Sequence, residues 1–328
     1  AAERLGGEVG NLVAKLPGTV DAPPLLFNAH LDTVEPTEGL RVRMREHLLT
    51  TDGTTILGGD DKAGVAAILE MARAVVASGI PRPPLELVFT VAEEIGVMGS
   101  MVLDYALVSA KTGFVCDSGG DAGRIVNRAP AQKNLKFTVH GRAAHAGIAP
   151  EQGISAITVA ARAIAGMRQG RLDEESTANV GIIRGGKATN IIADTVEVLS
   201  EARSRNPEQL LAQVAHMRDC FLQAAQQLGA TVDIEEADIY PAFHVAEACP
   251  AVDLATRALA ELGITPVIEP TGGGSDANFF NNRGIQTVIL SCGMISPHCH
   301  DERLDIEQWT LLAEQLYQIV RLAGHVTG

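Results

Sequence analysis

Basic residues are in short supply in this chain. Its 26 lysines and arginines face 40 acidic side chains, giving a formal charge of −14. A nucleic-acid partner would call for basic patches, so none is expected. Cysteines are few and unpatterned: Cys116, Cys220, Cys249, Cys292 and Cys299 are odd in number, and no Cys-x-x-Cys pair occurs. A disulfide framework is therefore not expected, and a cytoplasmic, reducing location is. No apolar run approaches the roughly 20 residues of a membrane span. The first residues do not read as a basic-then-apolar leader, so no membrane partner is expected. The chain starts at Ala1 without Met, some N-terminal sequence is expected to be missing, and AAERLGGEVGNLVAKL is expected to be helical.

What the chain does have is material for a core. Over 328 residues, 46% are hydrophobic and 20% charged, enough for two globular domains. The 33 glycines suit an α/β protein with many tight strand-to-helix turns. Part of the acidity would be offset if carboxylates bind divalent cations.

The rhythm of the sequence changes twice. Segment 1–129 alternates strands and helices: LLFNA, then the helix KAGVAAILEMARAVVAS, then LELVFTVA and GFVCD after the break at PRPP. That β–α–β order predicts a mostly parallel sheet. Segment 130–242 reads β-α-β-β-α-β, the ferredoxin-like order, with Pro207 at the first turn of its long helix, where no N–H is needed. Segment 243–328 returns to the first style with AVDLATRALAELG, TVILSCG and IEQWTLLAEQLYQIVRL. The expectation is an α/β catalytic domain built from 1–129 and 243–328, with a smaller α+β domain, 130–242, inserted as a lid.

Metal-binding side chains collect where strands end. His30 and Asp32 follow LLFNA, Asp60 lies in LGGDDKAG, Glu93 and Glu94 follow LELVFTVA, Asp117 follows GFVC, and His298 follows TVILSCGMISP. In an open α/β sheet, ligands bind in the crevice at the carboxyl ends of strands. Two-residue spacing on a strand points His30 and Asp32 the same way, so Asp32 is expected to accept the other ring N–H of His30. Gly58 and Gly59 permit a sharp turn before Asp60 and Asp61; Asp60 is the expected bridge between two cations, and Asp61 caps the helix or supports the site. Of Glu93 and Glu94, one can ligate while the other serves as general base. Either His298 or His300 could ligate. Cys299, between them, is read as a neighbour pointing elsewhere. Thr271-Gly-Gly-Gly-Ser-Asp276 lacks the Gly-Lys-Ser/Thr ending of a nucleotide loop and reads as a glycine-rich wall beside the site.

Taken together, NAHLDTV, DGTTILGGDDKAG, TVAEEIG, GFVCDSGG, GRAAHAGIAPEQGISAI, GGKATNIIAD, EARS, GGGSDANFF and SPHCHDERLDI resemble the M20 family of zinc peptidases, and within it the peptidase T (tripeptide aminopeptidase) group. The resemblance runs over nearly the whole chain. It implies two Zn²⁺ per subunit, with Co²⁺ or Mn²⁺ as substitutes: His30, Asp60 and Asp117 on one, Asp60, Glu94 and His298 on the other. It selects His298 over His300, makes Glu93 the general base toward a metal-activated water, and gives Asp32 the task of orienting His30. In the lid it implies that His145 helps stabilise the oxyanion and that Asn190 and Arg203 anchor substrate. The substrates implied are short peptides cut at the N-terminal bond, by a monomer or a homodimer formed through the lid. An M20-type carboxypeptidase or N-acyl amino acid deacylase would share the same metal set. A non-catalytic binding protein on this fold should have lost a ligand or the base, and every matched position is filled.

Overall fold

The computed structural model describes residues 2–325. The chain divides into two compact units, one made of Ala1–Ala129 with Phe243–Gly328 and the other of Pro130–Ala242.

The first unit is organised by one large sheet. Its strands run in the order Leu12–Leu16, Leu85–Thr90, Leu25–His30, Thr112–Ser118, Gln286–Ser291, Arg124–Ala129 and Phe243–His244, with Val267–Pro270 also pairing Arg124–Ala129. The pairs at its centre are parallel: Leu25–His30 lies between Leu85–Thr90 and Thr112–Ser118, and Thr112–Ser118 continues to Gln286–Ser291. Every residue of Leu25–His30 and of Leu85–Thr90 is buried, as expected of strands covered on both faces. Phe27 and Phe114 stack at 5.4 Å within this core. Because the central strands are parallel, their carboxyl ends share one edge, and that edge carries His30 and Asp117.

Helix Gly59–Ser78 packs on this sheet through Ala63, Gly64, Ala67, Ile68, Met71 and Val75. Its approach is close: a side chain at Gly64 would run into the Cys116 carbonyl. The first residues of the helix are not helical. Asp60 (φ −81°, ψ 105°) and Asp61 (φ −117°, ψ 37°) are extended or bridging, and the peptide bond between them is cis. Gly58, at φ +69°, makes the preceding turn in a region that favours glycine.

The N-terminal expectation needs correction. Helix is confined to Ala2–Leu5, and Leu12–Leu16 is an edge strand antiparallel to Leu85–Thr90. Gly6, Gly7 and Gly10 withdraw helical propensity between the two, and Leu12–Leu16 gains a strand partner. A second, small sheet was also not foreseen. It pairs Met294–Ile295, Arg303–Asp305, Leu48–Thr50 and Arg43–Arg45 in that order. His298 therefore lies on the loop between Met294–Ile295 and Arg303–Asp305, beyond the end of the strand Gln286–Ser291 rather than directly on it.

The inserted unit is an antiparallel sheet in the order Thr231–Tyr240, Ala131–His140, Thr195–Ser204, Ser176–Gly185, with Gly170–Arg171 at the far edge. Numbering the four long strands along the chain, the order is 4-1-3-2, which the β-α-β-β-α-β sequence produces. After the exposed Thr195, the strand Thr195–Ser204 alternates buried and half-buried positions, the mark of a sheet with one face on a core. Helices Ala156–Gly166 and Pro207–Leu228 cover that face, and Phe137 of the sheet stacks on Phe221 of the longer helix at 3.9 Å. Asn206 caps the longer helix by accepting the Glu208 and Gln209 N–H groups. No helix among the described residues is long and apolar enough to cross a membrane.

Candidate metal centre

His30 ends its strand with the ring almost wholly buried. Its Nδ1 lies 3.0 Å from the Asp32 backbone carbonyl and 3.6 Å from the Asp32 carboxylate. A carbonyl can only accept, so Nδ1 carries the proton and Nε2 is directed into the site. The nearer acceptor is the Asp32 main chain rather than the carboxylate expected from the two-residue spacing. The carboxylate is engaged elsewhere: one oxygen accepts the Glu93 N–H at 3.1 Å and the other the Glu94 N–H at 3.0 Å.

Asp60 stands between the two histidines. Its Oδ1 is 3.0 Å from His30 Nε2, and its Oδ2 is 3.1 Å from His298 Nε2. His298 Nε2 also lies 3.1 Å from Glu94 Oε2, and Asp117 Oδ1 is 3.8 Å from His30 Nε2. His298 adopts φ +64° in its loop. His300 turns away and meets Glu35 at 3.3 Å, and Cys299 is exposed. The structure therefore brings together His30, Asp60, Asp117, Glu94 and His298.

Asp61 also enters this neighbourhood. Donor atoms of His30, Asp61 and Asp117 lie within 4.8 Å of one another, as do those of His30, Asp60 and Glu94. Both Asp61 oxygens, however, are occupied: Oδ1 accepts the Gly64 N–H at 3.0 Å and Oδ2 the His30 N–H at 3.2 Å. Asp61 ties the helix start to the strand end, and Asp60 is left free to face both histidines.

The electrostatics follow from crowding acids in a buried place. Burial pushes the carboxyls of Asp61 and Asp117 well above the usual range, and neighbouring carboxylates push the same way. Glu93 is pushed up to about 8, first by burial and then by the charges of Asp276, Glu94 and Asp60, against the opposing field of His30. Burial also works against a charged Asp60, but its bonds to His298 and His30 prevail and hold it well below the ordinary value. His30 would lose its proton to burial, yet bonds to Asp32 and Asp60 and the fields of Asp117 and Asp61 hold it well above the histidine range. His298 is raised to about 10, chiefly by its bonds to Asp60 and Glu94. With its acids ionised and its histidines neutral, the cluster would call for compensating positive charge.

Divalent cations could meet that demand with this donor set. Imidazole nitrogens and carboxylate oxygens are ligands for zinc and its first-row neighbours. Glu94 Oε1 is buried and has no protein partner, an acceptor that a cation would satisfy.

Two further residues of the site were not assigned from the sequence. Glu302 is buried, and its carboxylate accepts N–H groups from Leu57, Gly58 and Asp60. Asp276, at the end of the glycine-rich segment, is also buried. The Thr90 hydroxyl donates to it, and burial raises its carboxyl. The segment read as a wall ends in a carboxyl whose charge Glu93 feels. The Asp-Glu pair after His298 and the Ser-Asp pair before a helix were the available signals, but neither announces what its acid touches.

In the inserted unit, His145 and Asn190 sit side by side. The Asn190 carbonyl accepts the Ala146 N–H at 2.9 Å, and His145 forms an isolated bridge with Ile191. Both side chains are exposed. Arg203 is half-buried, and its guanidinium donates to Glu201 at 2.9 and 3.0 Å.

Peptidase family M20/M25/M40 matches residues 26–322 of this chain. The uncharacterized protein YqjE of Bacillus subtilis (strain 168) is 40% identical over 319 residues, covering 97% of this chain and 86% of YqjE. The crystal structure of aminopeptidase PepT from Bacillus cereus ATCC 10987 is similar at a TM-score of 0.89 and 41% identity, covering 98% of this chain and 87% of that one. A tripeptidase from Staphylococcus aureus subsp. aureus Mu50 is similar at a TM-score of 0.94 and 37% identity, again covering 98% of this chain and 87% of the other.

Proposed function

The chain belongs to the M20/M25/M40 peptidase family, a hydrolytic enzyme, and we propose that it is a two-metal aminopeptidase releasing the N-terminal residue of unblocked short peptides, tripeptides above all. The observation that carries the metal reading is Asp60, whose two oxygens face two different histidines at 3.0 and 3.1 Å. His30, Asp60 and Asp117 would hold one cation, and Asp60, Glu94 and His298 the other. Zinc suits this mixed donor set, and Co²⁺ or Mn²⁺ could replace it. The aminopeptidase reading is supported by the likeness to a PepT and a tripeptidase over 98% of the chain.

When bound, two such cations polarise a carbonyl and acidify a water. In this reading Glu93 is the group that moves the proton. Its N–H is held by one Asp32 oxygen, and the other oxygen holds the N–H of the neighbouring Glu94. As general base it accepts a proton from the attacking water while the water oxygen bonds to the scissile carbonyl carbon. It then returns that proton to the leaving nitrogen as the C–N bond breaks, leaving a carboxylic acid and an amine. Asp32 and Asp61 hold geometry: the first fixes Glu93 and Glu94 by their main chain, and the second fixes His30 by its N–H. We extend the proposal to His145, Asn190 and Arg203 as substrate-contact residues on the family resemblance alone. A cytoplasmic location is proposed on the five free thiols.

Hydrolysis of an unblocked tripeptide beside its N-acetylated form, by metal-loaded and chelator-treated protein, tests this reading. Metal-dependent release of the N-terminal residue from the free tripeptide alone is expected. Cleavage of the blocked substrate alone would move the function to a carboxypeptidase or deacylase.

A further inference from the structure

Glu302 is an acid with 1% exposure and a carboxylate given over to main-chain donors. One oxygen accepts the N–H groups of Leu57 and Gly58, both at 2.8 Å, and the other accepts the Asp60 N–H at 3.0 Å. Hydrogen bonds to an ionised acceptor are the strong kind, and all of these come from the loop that delivers Asp60. Glu302 is itself fixed to the His298 segment, because its N–H donates to the Cys299 carbonyl at 3.0 Å. The loop is shaped to receive it. Gly58 takes φ +69°, and a Cβ on Gly59 would stand 3.0 Å from Glu302 Oε1. The segments bearing Asp60 and His298 are thus joined twice, once between the ligands themselves at 3.1 Å and once behind them through Glu302.

We infer that Glu302 is a positioning residue for the metal centre, locking the Asp60 loop to the His298 segment so that the shared carboxylate and the second histidine keep their separation. The inference rests on the two-cation reading above. A carboxylate is required, because an amide has a single accepting oxygen and would turn its NH₂ toward one of the N–H groups. Loss of such an outer partner weakens metal binding by about 10–100-fold, and Glu302→Gln falls in that range for the more weakly held cation.

The test uses the full chain, stripped with chelator and titrated with Zn²⁺ by calorimetry, as wild type, Glu302→Gln and Gly59→Ala. Melting temperatures are taken with and without metal. Wild type is expected to take up two ions. Glu302→Gln is expected to bind the second at least about tenfold more weakly and to lose much of the metal-induced rise in melting temperature. Gly59→Ala, which presses on the carboxylate without removing it, is expected to shift in the same direction and decides the matter if Glu302→Gln does not fold. A role in stability alone would lower the metal-free melting temperature while leaving both affinities and the metal-induced rise unchanged, and that result overturns the inference. Fewer than two ions on the wild type would instead overturn the two-cation reading and the inference with it.

Discussion

The Asp32 carboxylate accepts the main-chain N–H of Glu93 at 3.1 Å, and its second oxygen accepts that of Glu94 at 3.0 Å. One acid thereby sets the position of both the proposed base and a proposed ligand. Burial would raise its pKa, but the nearby His30 ring and these two N–H groups win and lower it. Asp32→Asn is expected to reduce kcat by about tenfold or more, the scale of outer-partner losses at metal sites, with a smaller effect on bound metal. Steady-state kinetics with metal analysis on the same sample checks this; an unchanged kcat would contradict it.

Glu93→Gln removes the proposed proton acceptor while preserving shape. General-base contributions run to about 10²–10⁴-fold, so kcat should fall by that much with two ions still bound. Turnover near the wild-type rate would remove Glu93 from the proton-transfer role.

His298 and His300 separate cleanly. His298 meets Asp60 and Glu94 at 3.1 Å each, whereas His300 meets Glu35. His298→Ala is expected to hold one ion fewer than wild type, and His300→Ala to hold the full number. Elemental analysis after dialysis reads both, and the reverse pattern would exchange their roles.

Glu86 offers a prediction about stability. Its buried carboxylate accepts the Ser109 hydroxyl at 2.7 Å, the Ser109 N–H at 2.9 Å and the Ala110 N–H at 3.0 Å, with Lys15 at 3.3 Å. Burial opposes its charge, yet these donors lower its pKa below the ordinary value. A depressed folded value means the stabilisation is present above the unfolded pKa of about 4.3 and is lost as pH falls through the folded one. Glu86→Gln should therefore cost about 1–3 kcal/mol near neutral pH. The gap to wild type should narrow in acid, as thermal melts of metal-free protein at both conditions would show. A gap independent of pH would mean that the charge of Glu86 contributes nothing.

Much of this was legible in the chain because the strongest patterns are local. LLFNAH and LELVFT are short, mostly apolar segments, and both are fully buried parallel strands. The helices at Gly59–Ser78, Pro207–Leu228 and Ile306–Gly324 carry clear apolar periodicity. Leu12–Leu16, Arg124–Ala129 and Val267–Pro270 were not legible: they are short or interrupted by polar residues, and pairing with distant strands makes them strands. The site divides the same way. Ligand types at strand ends can be read one segment at a time. The alternation His-Cys-His cannot say which ring faces inward, since that depends on the left-handed turn at His298. Nothing local in the sequence says what Glu302 and Asp276 touch, and only the three-dimensional arrangement shows the N–H groups and hydroxyl that hold them.

The account stands on Asp60 being shared. Anomalous diffraction from crystals grown with zinc tests that directly. Two peaks are expected, one on each side of the Asp60 carboxylate, the first against His30 and Asp117 and the second against His298 and Glu94. A single peak, or two peaks of which one lacks Asp60, would contradict it.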